Sequence, residues 1–292
     1  MAIARLSLCA ALFTAACADP VLDPVSSASS SNSQGVGAGG PGGGAVSSGA
    51  GGEASGGGAG STGAIGLDCE SAPSALLCED FEAGAIDEAK WSVVSNAGGS
   101  LTVDDVMAID GDYALHVTLP PAAAAEGTLR LASDMVFPVA GNAFFGRAFV
   151  YVAGAVPDTH SRLIRARGKL ADGEDAQYRL DCNNGKLNSR YYTPTINDLV
   201  HGGLRKFGYD VPADAWLCVE WHYDGEHDEM RYWIDGELIE GMTVLSTEEP
   251  PWVAPEFASF EIGWITFQAG NTQYDVFYDS IVLDSSRIGC GR

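Results

Sequence analysis

Aromatic and β-branched residues alternate with polar ones through residues 216–223 (WLCVEWHY) and 229–234 (EMRYWI), with a polar turn between them. Alternation of period two predicts strands that rest one side on a core. Val219, Trp221 and Tyr223 then share one face, and Cys218, Glu220 and His222 the other. Asp235-Gly236 supplies the positive backbone angles of a tight hairpin turn. Shorter runs of the same kind cover 76–82, 90–94, 101–106, 113–119, 128–136, 142–152, 159–168, 176–182, 187–192, 257–267 and 276–284. Turn residues punctuate them: Ala83-Gly84, Asp110-Gly111-Asp112, Ala171-Asp172-Gly173 and Asn183-Asn184-Gly185. Residues 122–125, behind Pro120-Pro121, read as loop, and 193–213 as an irregular connection. Many short strands, no repeat and no long helical pattern predict an all-β, two-sheet antiparallel β-sandwich of the jelly-roll kind.

The pattern begins only near residue 68. Residues 1–18 carry one positive charge, Arg5, then an apolar run and small residues ending at Cys17, as in a secretory signal. Ala15-Ala16-Cys17 fits a bacterial lipobox, which would leave Cys17 lipidated; ordinary cleavage among the small residues is the alternative. Residues 19–67 are dominated by Gly, Ser and Ala. Such a segment cannot bury enough apolar area to offset the entropy of ordering it and is expected to be a disordered tether. The expected location is therefore the cell envelope or the exterior, with contact to a membrane only through a lipid anchor. Residues 68–292 are the size of one large β-sandwich, expected to be monomeric, and no apolar run is long enough to span a bilayer.

Charge narrows the range of partners. The formal net charge of −23 argues against nucleic acid. Its distribution is uneven, because eleven of the sixteen Lys and Arg lie between Arg130 and Lys206 with seven acids, leaving that span at +4. A basic middle in an acidic protein is where an acidic ligand is expected, although solvated strand faces would give the same count. Of the five cysteines beyond the leader, Cys182 and Cys218 both lie in predicted strands and are expected to pair. Cys69 with Cys290 is the second expected bridge, with Cys69–Cys78 as its rival.

Strand alternation also sorts the polar side chains. Arg147, Phe149 and Tyr151 share a face, as do His160 and Arg162; Gln177, Arg179 and Asp181; Arg190 and Tyr192; Glu220 and His222; Arg231 and Trp233. Gathered on one surface, Arg147, Tyr151, Arg179, Tyr192, His222 and Trp233 would make a groove in which rings stack on sugars and guanidinium groups hold carboxylates. A one-residue slip in any strand turns its set over. The acids of 79–82 and 226–229 do not match the strand-borne carboxylate pair of a retaining glycosidase, and no G-x-S-x-G or HExxH is present.

CEDFEAG with Lys90-Trp91 early, YWIDGE late and YDSIVLDSSRIGC at the end resemble the concanavalin A-like lectin/glucanase superfamily. Within it, the chain is similar to the Cip1-like group and so to glucuronan-type polysaccharide lyases. The resemblance implies a polysaccharide partner, which the basic middle would make an acidic one. It also places His160-x-Arg162 in the family's cleft, with Tyr274 near its late cleft tyrosine. In a β-eliminating lyase Arg162 would neutralise the uronate carboxylate, and His160 or a tyrosine would exchange the proton. The family's Gln four residues after the Arg is replaced here by Ala166. The alternative is a lectin-like, adhesive or structural envelope module without turnover. The fold further implies a structural Ca²⁺ joining the first and last strands, for which Glu82, Asp110 and Asp279 stand in the matching places.

Overall fold

The computed structural model describes residues 68–291 apart from 122, 123, 133, 155 and 157. The expected leader, the Cys17 lipidation site and the Gly/Ser tether lie outside the described residues. The strands in chain order are β1 Leu77–Glu79, β2 Trp91–Asn96, β3 Ser100–Asp104, β4 Ala114–Leu119 and β5 Glu126–Leu131. There follow β6 Ala143–Ala153, β7 Ser161–Lys169, β8 Asp175–Asn183, β9 Lys186–Tyr192 and, after the short helix α1 Pro194–Leu199, β10 Leu204–Asp210. The chain ends with β11 Trp216–Asp224, β12 Glu229–Ile234, β13 Glu237–Leu238, β14 Glu256–Thr266 and β15 Tyr274–Asp284.

These strands form the two antiparallel sheets of a jelly-roll sandwich. Sheet A runs β13-β12-β11-β6-β15-β4-β3, with β1 also on β15; sheet B runs β10-β9-β8-β7-β14-β5-β2. The opening hairpin is β11–β12 of sheet A, in the register Trp221↔Tyr232. Val219, Trp221 and Tyr223 are fully buried between the sheets, as their alternation requires. Trp221 stacks on Phe260 of sheet B at 5.7 Å between centroids. Gly146 is what admits the indole, because a Cβ there would come within 2.0 Å of it. Phe144 meets Tyr223 and Phe257 edge-on, a geometry worth about 0.5–1.5 kcal/mol per pair beyond the area buried.

Two tyrosines of sheet A also hydrogen-bond across the core. Tyr232 donates to the Arg179 carbonyl at 2.9 Å, and Tyr278 to the Gly263 carbonyl at 2.6 Å. Burial pushes both phenols well above their usual pKa, so they remain donors. Both links fix sheet B at strands that carry polar residues on its outer face.

Besides a β5 that stops at Leu131 rather than at 136, the structure departs from the sequence reading in three places. The stretch 193–213 is ordered: Thr193 caps α1 by accepting from Ile196 N, and β10 adds an edge strand to β9. Its alternation is hidden by a bulge between Phe207 and Tyr209 and by an exposed setting, so no apolar stripe marks it. The first strand ends at Glu79, where the chain turns and Phe81 takes a positive φ of 61°.

The third departure is the cysteines. The bridges are Cys69–Cys78 and Cys218–Cys290, not Cys182–Cys218 and Cys69–Cys290. Cys182 packs in the core between the sheets, and burial pushes its thiol up to about 12. Cys218 alternates with the core residues Leu217 and Val219, so its side chain leaves the opposite face of β11 and meets the returning C-terminal segment. That segment is fastened there by Glu220, which accepts from Gly289 N at 2.7 Å and from Arg287 at 2.7 and 3.2 Å.

Loop closure ranks the two bridges. Cys218–Cys290 spans 72 residues and Cys69–Cys78 only 9. The chain-entropy model gives about 4 kcal/mol for the longer loop and about 2.5 kcal/mol for the shorter. The double variant Cys218→Ala/Cys290→Ala is expected to lower the denaturant midpoint clearly more than Cys69→Ala/Cys78→Ala, measured by equilibrium unfolding under oxidising conditions.

Candidate functional site

Sheet B turns an arginine-rich face outward. On β8, Tyr178, Leu180 and Cys182 enter the core, so Gln177, Arg179 and Asp181 point away from it. On β9 the same alternation turns Arg190 and Tyr192 outward. On β7 a simple alternation from Arg162 would put Ile164 and Ala166 on the outer face. A bulge between Arg162 and Ile164 reverses this: Ile164 and Ala166 are fully buried in the core, and Arg165 and Arg167 take the outer positions. Arg165 then stands opposite Arg179, as Arg162 stands opposite Asp181.

Two buried carboxylates hold these cations. Glu261, 2% exposed, accepts from Arg130 Nε at 2.8 Å, from Arg162 Nη2 at 3.4 Å and, at short range, from Arg165 Nη2. Burial works to raise the Glu261 pKa, but Arg165, Arg162 and Arg130 outweigh it and hold the group below the usual carboxylate range. Asp181 has no exposed surface; its Oδ2 lies 2.8 Å from His160 Nε2 and 3.4 Å from Arg190 Nε. There too burial opposes ionisation, and the His160 hydrogen bond with the charges of Arg179 and Arg190 overcomes it.

The cations remain in excess. Burial first, then Arg165 and Arg179, push Arg162 down to about 9, although Glu261 and Asp181 pull the other way. Arg179, chiefly through burial, is pushed down to about 10. Arg190 Nη1, Asp181 Oδ1 and Asn188 Oδ1 are buried with no hydrogen-bond partner among the described residues. A face of this kind stabilises an added anion and offers it several guanidinium donors. Rings flank it: Phe267, 40% exposed, lies 4.6 Å from the His160 ring, and Tyr192 lies under the Arg179 guanidinium at 4.4 Å.

The residues expected to share one groove do not all meet. His160, Arg162, Arg179 and Tyr192 belong to the outer side of sheet B. Arg147, Tyr151, His222 and Trp233 lie on β6, β11 and β12 and face outward from sheet A, across the core. Arg147 is fully buried there, donating to Ser280 Oγ at 2.9 Å. His222 stacks on Phe145 at 3.9 Å, and Trp233 is covered by Arg287 at 4.5 Å. Tyr151 sits in a row of rings with Trp216 and Phe277. Tyr274 is also corrected: it is on β15 of sheet A, 3% exposed, and turned into the core. Alternation puts each side chain on a face but does not say which sheet carries the strand, and this is why the set divides. Arg165 escaped the sequence reading because the bulge in β7 shifts the alternation before it, and Glu261 and Arg130 because only the pairing β7-β14-β5 brings them beside that face.

The expected calcium ligands are drawn to one loop. Asp279, 1% exposed, accepts from Ile109 N at 3.0 Å and Asp110 N at 3.4 Å. Glu82 accepts from Asp112 N at 3.0 Å and Tyr113 N at 3.0 Å. Gly111 lies against Glu82 at φ 64°, and a Cβ there would come within 2.3 Å of the carboxyl carbon. Burial, and then the charge of Glu82, raises the Asp279 pKa to about 7. Glu82, just after β1, and Asp279, on β15, thus meet the same loop, and both carboxylates accept its backbone N–H groups. Asp110 is shown contributing its amide, and the three carboxylates do not all converge within 4.8 Å. Among the described residues the cluster that does converge, Cys218, Glu220 and Cys290, has its sulfurs in a disulfide and is no metal site.

Fold and face together define a jelly-roll protein with one arginine-lined sheet. The family model described as Polysacc_lyase-like, Cip1-like core domain, matches residues 80–286, and the chain belongs to that family. The solved structure of Cellulose induced protein, Cip1, superposes with a TM-score of 0.58 at 22% identity, covering 74% of this chain and all of that one. The endo-β-1,4-glucuronan lyase of the fungus Trichoderma reesei superposes with a TM-score of 0.54 at 14% identity, covering 73% of this chain and 96% of that one. At these identities the likenesses establish the fold. No curated protein sequence matches the chain.

Glu261 supplies a direct test of the face. Replacing a paired buried carboxylate leaves its cations uncompensated, so Glu261→Gln is expected to cost about 3 kcal/mol near neutral pH. The folded-state pKa is depressed, so this contribution is full above the unfolded value of about 4.3 and is lost as pH falls through the folded value. Chemical denaturation of wild type against pH should therefore show stability falling below about pH 4, and the variant should show a shallower fall.

Proposed function

We propose that the protein is an extracellular module that binds an acidic polysaccharide along the outer face of sheet B. The observation that carries this reading is the crowded guanidinium cluster of Arg162, Arg165 and Arg179, held short of full compensation by Glu261 and Asp181. A uronate carboxylate is the ligand group that such a cluster favours, and Phe267 and Tyr192 offer ring faces for the sugars. The family and the glucuronan lyase's fold support a polysaccharide rather than a small anion. Two disulfides fit an oxidising compartment outside the cytoplasm. The leader and its Cys17 would deliver the module there, free or on a lipid anchor behind the tether, as a monomer.

The same face supports β-elimination. Arg162 would neutralise the carboxylate and so acidify the C5 proton; His160 would take that proton as C4–C5 becomes a double bond and the C4–O bond breaks. His160 would then return the proton to the departing oxygen, because Tyr274 lies in the core and Ala166 replaces the family's amide. Those two departures also favour a second reading, a lectin-like module that holds the chain without cutting it. Calcium is proposed as a structural ion at Glu82 and Asp279, with Asp110 on the loop that both carboxylates meet.

Arg162→Ala is expected to weaken binding of a polyuronate ten- to a hundredfold, since a charge-assisted hydrogen bond contributes about 1.5–3 kcal/mol. Isothermal titration checks this, with raised salt weakening wild type more than the variant. Undiminished binding by a folded variant would remove the face from the account. His160→Ala should retain most of the affinity and abolish any ultraviolet-absorbing unsaturated product. A wild-type protein that binds but releases no such product is the lectin-like module.

Chelation is expected to lower the melting temperature of wild type and to leave Asp279→Ala unaffected. Identical melting curves with and without chelator would rule the ion out.

A further inference from the structure

We propose that Asp181 is the positioning residue of His160, holding the imidazole as the Nε2–H tautomer so that Nδ1 is the basic nitrogen presented to the sugar. This deepens the elimination reading and rests on it for its catalytic consequence. The geometry itself does not. Asp181 lies on the outer side of β8, opposite Arg162, and has no exposed surface. Its Oδ2 stands 2.8 Å from His160 Nε2. Against burial, the His160 hydrogen bond first and then the charges of Arg179 and Arg190 hold Asp181 low; an ionised carboxylate accepts hydrogen bonds and cannot donate one, so Nε2 carries the proton. The other ring nitrogen is then left as the lone-pair site, a division of roles that the partner of one nitrogen fixes for the other.

Two further contacts hold the ring in place. Phe267 lies along the imidazole at 4.6 Å and donates its backbone N–H to the His160 carbonyl at 2.9 Å. The His160 N–H is 3.3 Å from Gln268 Oε1. The backbone of His160 is thereby tied to the segment after β14, its ring to β8, and Arg162 two residues on is tied to Glu261 of β14. Base and carboxylate-binding group are thus registered to the same two strands. Asp181 has no exposed surface, so its role is to act through His160.

The test is Asp181→Asn in the full chain. Asparagine keeps the shape but removes the charge, and its amide can donate as well as accept. Nitrogen-15 NMR of the imidazole should find the Nε2–H tautomer dominant in wild type and a mixture of tautomers in the variant. If wild type turns over a polyuronate, kcat should fall about a hundredfold or more, the usual contribution of a positioned acid–base group, while KM does not rise, because losing a compensating carboxylate leaves the guanidinium groups freer for the ligand. If wild type shows no turnover, the elimination reading fails, and the tautomer measurement alone decides the positioning role. A wild-type ring that already populates both tautomers overturns the proposal, whether or not the variant folds. So does a variant with an unchanged tautomer and unchanged kcat.

Discussion

Glu261 and Asp181 allow several arginines to sit largely buried on one face of a β-sheet. Without them, Arg162, Arg165, Arg179 and Arg190 would be like charges in a poorly hydrated layer, where desolvation alone costs several kcal/mol per ion. Each carboxylate serves more than one guanidinium, so compensation is incomplete, and the shortfall falls on Arg162 and Arg179. Such an arrangement is a poor way to gain stability, because apolar side chains of equal volume would do as well or better. It is a good way to prepare a site for a carboxylate, because the cost of gathering the donors is met in folding rather than in binding.

The core anchors that face from behind. Tyr232 and Tyr278 reach from sheet A to backbone carbonyls of Arg179 and Gly263 in sheet B, in the strands that carry Asp181 and Glu261. Both phenols bury their rings and keep their protons, so each adds apolar area and a fixed donor. The bulges act from the front. In β7 the extra residue brings Arg165 and Arg167 onto the face where alternation would have put Ile164 and Ala166. Core packing and the ordering of the arginines are therefore parts of one register.

The strands, the hairpin turns and the inward set Val219, Trp221 and Tyr223 were legible in the sequence, because period-two alternation is a direct consequence of the pleat. His160 with Arg162 was legible too, as was the shared face of Arg179 and Asp181. Sheet membership was not. Arg147, Tyr151, His222 and Trp233 alternate as cleanly as Arg179 and Tyr192, yet they face out from the other sheet, and only long-range pairing decides that. The cysteines failed for a similar reason: Cys182 and Cys218 are both strand residues, but one points into the core and the other out of it. Tyr274 was placed by likeness to a family pattern, and its own strand turns it inward.

The central claim is that one outer face, sheet B, meets an acidic chain while the aromatic outer face of sheet A does not. Titration of the isotope-labelled protein with an oligo-uronate, followed by NMR, tests this most directly. The account predicts shifts at His160, Arg162, Arg179 and Tyr192 that saturate together, with His222, Trp233 and Tyr151 unmoved. Shifts confined to His222, Trp233 and Tyr151 would contradict it, and so would an absence of any saturable shift at low salt.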